Sequence, residues 1–164
     1  MNVDDFHSFP WKDGQGNVVD TWWVRQRYHS FRQIGQGGYG GVAMLKDTQN
    51  NDEKVAIKKL DKPFDQPQPA LAPIYAQRAY RELRILKFMK ENLHQNVISL
   101  IDAFEPPAPP VPDGAGAPCQ DHPHPTELYF VTPHMDMDLS RLIQTGALNN
   151  QDSREHIQAM TYQV

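Results

Sequence analysis

At 164 residues and 18.8 kDa, with 39% hydrophobic residues, the chain suits one packed domain, or one domain and part of a second. A net charge of −4 and a pI near 5.9 give no footprint for nucleic acid, and no apolar run approaches the ~20 residues of a membrane span. The single cysteine, Cys119, excludes an internal disulfide framework. The N-terminus lacks a basic-then-apolar leader, so the expected location is cytoplasmic or nuclear.

Residues 1–20 mix Pro10, Gly14, Gly16 and several charges without a clear period, and residues 1–21 read as an N-terminal extension. Trp22 and Trp23 read as packing residues beside a sheet, because aromatic rings carry large apolar area. Tyr28 to Ile34 is the first predicted strand, with Phe31 and Ile34 as its better apolar positions. It enters Gly35-Gln36-Gly37-Gly38-Tyr39-Gly40-Gly41-Val42, where five of the seven residues from 35 to 41 are glycine. Glycine admits positive φ and lets a ligand approach the backbone, at an entropic cost. Gly35, Gly37 and Gly40 make G-x-G-x-x-G, which can lay N–H groups over phosphates or can be a flexible tight turn.

The residues after the glycines separate two kinds of phosphate binder. A dinucleotide-binding turn leads from a strand into a helix. Here Val42-Ala43-Met44-Leu45 is a short apolar run, Lys46 to Glu53 is a polar turn cluster, and Val55-Ala56-Ile57 is a second apolar run. That is strand, turn, strand. The glycines therefore cap a β-hairpin, and Val55-Ala56-Ile57-Lys58 has the form of the V-A-I-K strand of protein kinases.

Pro63, Pro67, Pro69 and Pro73 then break the chain, and a helix is predicted from about Ile74 to Glu91. Glu82 shares a face with Tyr75, Ala79, Leu86 and Met89. A carboxylate there needs a partner. One reading is an ion pair across to Lys58 that fixes the lysine for phosphate contact; the other is a local helical pair. Val97–Ile101 and Leu128–Val131 are predicted strands. Between them, residues 105–126 carry eight of the fourteen prolines and read as an exposed loop with P-x-x-P spacing but no lysine or arginine to orient a groove-bound ligand. Cys119, His122 and His124 do not complete a four-ligand set, so no metal site is expected. Thr132 to Asp138 is a connector, because Pro133 is poorly suited to a central strand. Asp138 is placed to cap a short helix, Leu139–Ile143, that ends near Gly146. A last helix starts near Asn150, with Ile157, Met160, Thr161 and Val164 on one face, and its pattern looks cut.

Together these motifs resemble a eukaryotic protein kinase, and specifically the stress-activated branch of the mitogen-activated protein kinases. The resemblance rests on Gly35–Val42, on Val55-Ala56-Ile57-Lys58-Lys59-Leu60, and on Ala79-Tyr80-Arg81-Glu82-Leu83-Arg84-Ile85-Leu86-Lys87. It continues with Asn96-Val97-Ile98-Ser99-Leu100-Ile101-Asp102 and Leu128-Tyr129-Phe130-Val131-Thr132, and spans Trp22 to Val164 apart from the insert. It implies an α+β fold: a five-stranded antiparallel sheet plus one helix as the N-lobe (22–131), a hinge (132–138), and the first helices of a truncated C-lobe (139–164). It also implies ATP as cofactor. Ile34 and Gly35–Val42 would cover the nucleotide, and Lys58, paired to Glu82, would reach the α- and β-phosphates. Val42 and Ala56 would roof the adenine, and Thr132 would be the gatekeeper. Within the hinge Pro133-His134-Met135 the Met135 backbone would bond adenine, and Asp138 would reach the ribose.

H-R-D, D-F-G and A-P-E do not occur in residues 1–164. Magnesium, an upstream MAP kinase kinase and Ser/Thr-Pro substrates are accordingly expected only for a full-length kinase. The chain itself is expected to be the ATP-binding portion, inactive alone. The alternative is a non-catalytic kinase-like binding or regulatory module. Neither a nucleic-acid partner nor a membrane is expected.

Overall fold

A computed structural model of the chain describes residues 5–37, 40–61, 72–92, 96–106, 127–146 and 158. Strands β3 (Tyr28–Gly37), β4 (Gly40–Asp47) and β5 (Glu53–Asp61) form a meander in chain order. Helix α1 (Ala72–Asn92) and strand β6 (Asp102–Phe104) come next, before β7 (Glu127–Pro133) inserts between β5 and β6. The sheet order is β3-β4-β5-β7-β6, every neighbouring pair antiparallel, which is the expected five-stranded sheet with one helix.

Side-chain alternation gives the sheet two faces. Along β4, Gly41, Ala43, Leu45 and Asp47 are buried while Val42, Met44 and Lys46 are half-buried. Along β5, Val55, Ile57 and Lys59 are buried, whereas Ala56 and Lys58 are half-buried. This period of two is what a pleated strand imposes. On the second face α1 packs Ala79, Leu83 and Leu86 against Leu60, Leu100 and Phe130. Pro73 lies in the first turn of α1, where its missing N–H would have no intrahelical partner anyway.

The first face is covered by a hairpin, formed by residues that read as an extension in sequence alone. Strands β1 (Phe6–Lys12) and β2 (Val18–Arg25) pair antiparallel, joined by a turn in which the Asp13 carboxylate accepts from the N–H groups of Gln15 and Asn17. Phe6, Trp11, Trp22 and Val24 are buried there with Tyr28, Ala43, Leu45, Val55, Ile57, Phe104, Tyr129 and Val131. Trp11 stacks on Trp22 at 4.6 Å, and Phe104 stacks on Tyr129 at 5.1 Å. Burying one such ring stabilises by about 1.5–3 kcal/mol, so this second layer is a large part of the core. Tryptophans 22 and 23 do pack, as expected, but as members of β2.

Polar groups inside the first face are paired. Asp47 accepts from the Arg27 guanidinium and caps the turn at Thr48–Asn50 through the Gln49 N–H. That guanidinium holds the Asp47 carboxyl below the ordinary carboxylate range. Tyr28 donates to Asp102 at 3.0 Å, and Arg25 reaches the same oxygen at 3.2 Å. Burial pushes the Tyr28 and Tyr129 phenols well above the ordinary tyrosine value.

Two boundaries differ from expectation. The strand predicted at Val97–Ile101 forms further along, at Asp102–Phe104. Val97 and Ile98 are exposed, Leu100 turns into the α1 core, and bonding to β7 begins with Ile101 N–H to Val131 O at 2.8 Å. The apolar run is thus a lead-in, and Arg25 and Tyr28 anchor the strand proper through Asp102. The connector begins at His134 rather than Thr132. Pro133 is tolerated because it is the last strand residue, and the His134 N–H makes the next bond instead, to Lys54 O at 3.2 Å. Helix α2 (Leu139–Gln144) is capped as expected, Asp138 accepting from the Arg141 N–H at 2.7 Å and Gly146 coming just after it at φ +69°. Residues 107–126 of the expected insert (105–126), the expected helix from Asn150 apart from residue 158, and Gly38 and Tyr39 lie outside the described residues.

Candidate functional site

Register brings the candidate residues into two rows on the α1 face of the sheet. In antiparallel ladders directly opposed residues share a face, so Gly35, Val42, Lys58 and Phe130 form one row. Met44, Ala56 and Thr132 form the next. Glu82 reaches the first row from α1. The Lys58 ammonium donates to both Glu82 carboxylate oxygens, at 2.7 and 2.9 Å. Side-chain exposure is 34% for Lys58 and 37% for Glu82, so the pair borders solvent. Of the two readings of Glu82, the long-range pair is the one formed.

Lysines 58 and 59 are neighbours with different tasks. Lys59 points to the other face, 2% exposed, and bonds Asp20 at 2.6 Å and Glu127 at 2.8 Å. Burial alone would lower its pKa, but hydrogen bonds to Asp20 and Glu127 prevail and hold it above the ordinary lysine value. Strand alternation therefore leaves Lys58 as the one of the two that a ligand can meet.

The glycines divide in the same way. Gly37 opposes Gly40, whose φ of +128° is open to glycine alone. A Cβ built on Gly35 meets nothing within 4 Å, so packing does not demand glycine there, and the strand is open to a ligand. A Cβ built on Gly41 would lie 2.6 Å from Trp11 Cη2 and 2.8 Å from Trp22 Cζ2. The Cβ position of Gly41 therefore faces the tryptophans, away from the Lys58 row, so packing alone requires glycine there.

A groove of about 710 Å³ opens beside these rows, between β3, β4, the connector and α2. Ile34, Met44, His134, Met135, Asp138 and Arg141 line it. Val42, Ala56, Lys58 and Thr132 lie on the adjoining sheet face without lining it. The Met135 backbone makes no backbone hydrogen bond among the described residues, and His134 Nδ1 is buried without a hydrogen-bond partner. Asp136 Oδ1 is 3.6 Å from that nitrogen and 3.3 Å from the Lys54 ammonium. The lining is mixed, Ile34, Met44, Met135 and Met137 standing beside Arg32, Gln33, Lys54 and Asp136, and it offers both apolar surface and polar atoms to a ligand. Met44 and Arg141 are additions that the motifs did not single out, whereas His134 was already a candidate of the hinge. Register to Ala56 could have found Met44; Arg141 needed the fold. Among the described residues, no group of three or more His, Cys, Asp or Glu side chains can hold a metal ion, and no helix is long and apolar enough to cross a membrane.

A glycine-rich strand pair, a lysine tied to a helical glutamate, and a capped connector beside a groove define the N-lobe and hinge of a protein kinase. Residues 28–164 match the protein kinase domain model, and the chain belongs to that family. More narrowly, it is 37% identical to mitogen-activated protein kinase p38b of Drosophila melanogaster over 145 residues, 87% of this chain and 33% of that protein. It is 38% identical to mitogen-activated protein kinase 12 of Mus musculus over 144 residues, 88% of this chain and 32% of that protein. It is 34% identical to mitogen-activated protein kinase 14 of Xenopus laevis over 143 residues, 87% of this chain and 32% of that protein. The relatives it is similar to are thus mitogen-activated protein kinases, the group that its motifs resemble. The chain spans about a third of the length of these relatives.

Proposed function

We propose that this chain is an ATP-binding module of a stress-activated MAP kinase. The observation that carries the reading is the doubly bonded Lys58–Glu82 pair, set in one row with the open Gly35 and with Val42. The carboxylate holds the ammonium in position. Phosphate oxygens arriving from the glycine turn would complete its hydrogen bonding. Ile34 in the groove, with Val42 and Ala56 on the adjoining sheet face, would give an apolar roof for a base, and the Met135 backbone would meet its edge. Asp138 spends one carboxylate oxygen on the α2 cap, which leaves the other for a ribose hydroxyl.

ATP supplies the phosphoryl group in kinase chemistry, with magnesium neutralising charge on the phosphates. Residues 1–164 contribute nucleotide contacts and hold no H-R-D or D-F-G motif. By themselves they would bind ATP without transferring phosphate, which also fits a kinase-like regulatory module. An upstream MAP kinase kinase and Ser/Thr-Pro substrates belong to the whole-kinase reading. The test is a radiolabelled-ATP assay on residues 1–164 beside the Lys58→Met variant. No transfer above the variant's background is expected. Transfer above it, to the chain itself or to a Ser/Thr-Pro peptide, would overturn the reading of the isolated chain as inactive.

A further inference from the structure

The β1–β2 hairpin grips both strands that flank the glycine turn. On β4, the missing Cβ of Gly41 admits the stacked rings of Trp11 and Trp22 closer than any side chain would allow. On β3, Phe31 meets those rings edge-on, at 6.2 Å from Trp11 and 5.6 Å from Trp22, and stacks on Phe9 at 5.0 Å. Beside it, the Gln33 amide bonds the Lys12 backbone in both directions, accepting from its N–H at 3.3 Å and donating to its carbonyl at 2.8 Å. Glycine-rich strands have little side-chain packing of their own and are entropically expensive to order. Here that order comes from the opposite face of the sheet. Trp11 and Trp22 lie behind the strand on which Val42 and Met44 face the groove side.

We propose that Trp11 and Trp22 are positioning residues for the glycine turn, acting through Gly41 and Phe31, and so set nucleotide affinity without touching nucleotide. The affinity part rests on the ATP-binding reading above; the ordering part does not. Removing the Trp11 ring leaves a cavity against Gly41, and the β3–β4 pair loses its backing there. A packed element that acts at a distance in this way shifts affinity by roughly 2- to 30-fold.

Phe6 provides the comparison. It is buried in the same hairpin but at its other end, against Phe104 at 6.0 Å. Trp11→Ala, Trp11→Phe and Phe6→Ala would each be measured by native-state hydrogen exchange and by calorimetric titration with ATP, under conditions where all are folded. The expected result is faster exchange of amides 33–37 and 40–44 in Trp11→Ala, with ATP weakened roughly 2- to 30-fold. Trp11→Phe should recover most of both effects. Phe6→Ala should show neither, its faster exchange falling near residues 102–104. Trp11→Leu gives the same comparison should the alanine variant not fold. Equal effects from Phe6→Ala and Trp11→Ala, or unchanged exchange at 33–37 and 40–44, would overturn the proposal. Absence of ATP binding by the unmodified chain would refute the nucleotide reading alone, with exchange still deciding the positioning role.

Discussion

Lys59 offers the sharpest test of how the sheet is assembled. Its ammonium is 2% exposed and meets Asp20 and Glu127, whose side chains are 37% and 24% exposed. Asp20→Asn and Glu127→Gln take two carboxylate partners away from a buried cation. A change of that kind costs about 3–5 kcal/mol. Lys59→Met is milder despite deleting the charge. Methionine fills the stem's space in the core, and the two carboxylates, already part-solvated, can turn outward. A loss of about 0–2 kcal/mol is expected. Urea midpoints at pH 7 would rank the native chain first, Lys59→Met close behind, and the double carboxylate variant last. Because the folded pKa of Lys59 is raised, its contribution is fully present below the unfolded value. It is lost only as pH rises through the folded one. The stability gap between the native chain and Lys59→Met should therefore stay flat from about pH 6 to 9 and narrow only above about pH 10. A gap that changes near neutrality, or a double variant as stable as Lys59→Met, would refute the buried-triad account.

The Lys58–Glu82 pair, more than a third exposed on each side, should couple by only about 0.5–1 kcal/mol in a Lys58→Met/Glu82→Leu cycle read from urea midpoints; additivity would deny the contact. Asp47, held below the ordinary range by Arg27, contributes stability above its unfolded pKa that is lost as pH falls through the folded one. The native chain should thus lose more stability than Asp47→Asn below about pH 4, by urea denaturation across that range. Thr132 opposes Ala56, and Thr132→Met would add bulk on that face of the sheet. If Thr132 acts as a gatekeeper, affinity titrations should show ligands with an aromatic arm weakened by about 1 kcal/mol or more and ATP spared; equal losses would refute that role.

The sheet, α1 and the Asp138 cap were legible because each depends on local pattern: alternation, a run uninterrupted by proline or glycine after Pro73, and a capping residue. A lone carboxylate on an apolar stripe flagged Glu82, but only the fold decided between its long-range partner Lys58 and a local one. The β1–β2 hairpin was not, although Asp13-Gly14 between two aromatic-rich runs is a turn signal. Pro10 and scattered charges hid its period, and its stability comes from docking onto a sheet formed by later residues. Gly41 shows the same limit. Its sequence neighbours group it with the turn, and only the tertiary approach of Trp11 and Trp22 shows what excludes a side chain there. The shift of β6 to Asp102 likewise depends on Arg25 and Tyr28, which lie 77 and 74 residues away along the chain.

Calorimetric titration of ATP and of adenosine into the chain, with Lys58→Met and Lys59→Met beside it, tests the nucleotide site most directly. Both variants lose one lysine from adjacent positions, so net charge is matched. Lys58→Met should weaken ATP while leaving adenosine unchanged, and Lys59→Met, once corrected for its folded fraction, should bind both as the native chain does. ATP binding indifferent to Lys58, or weakened equally by both substitutions, would contradict it.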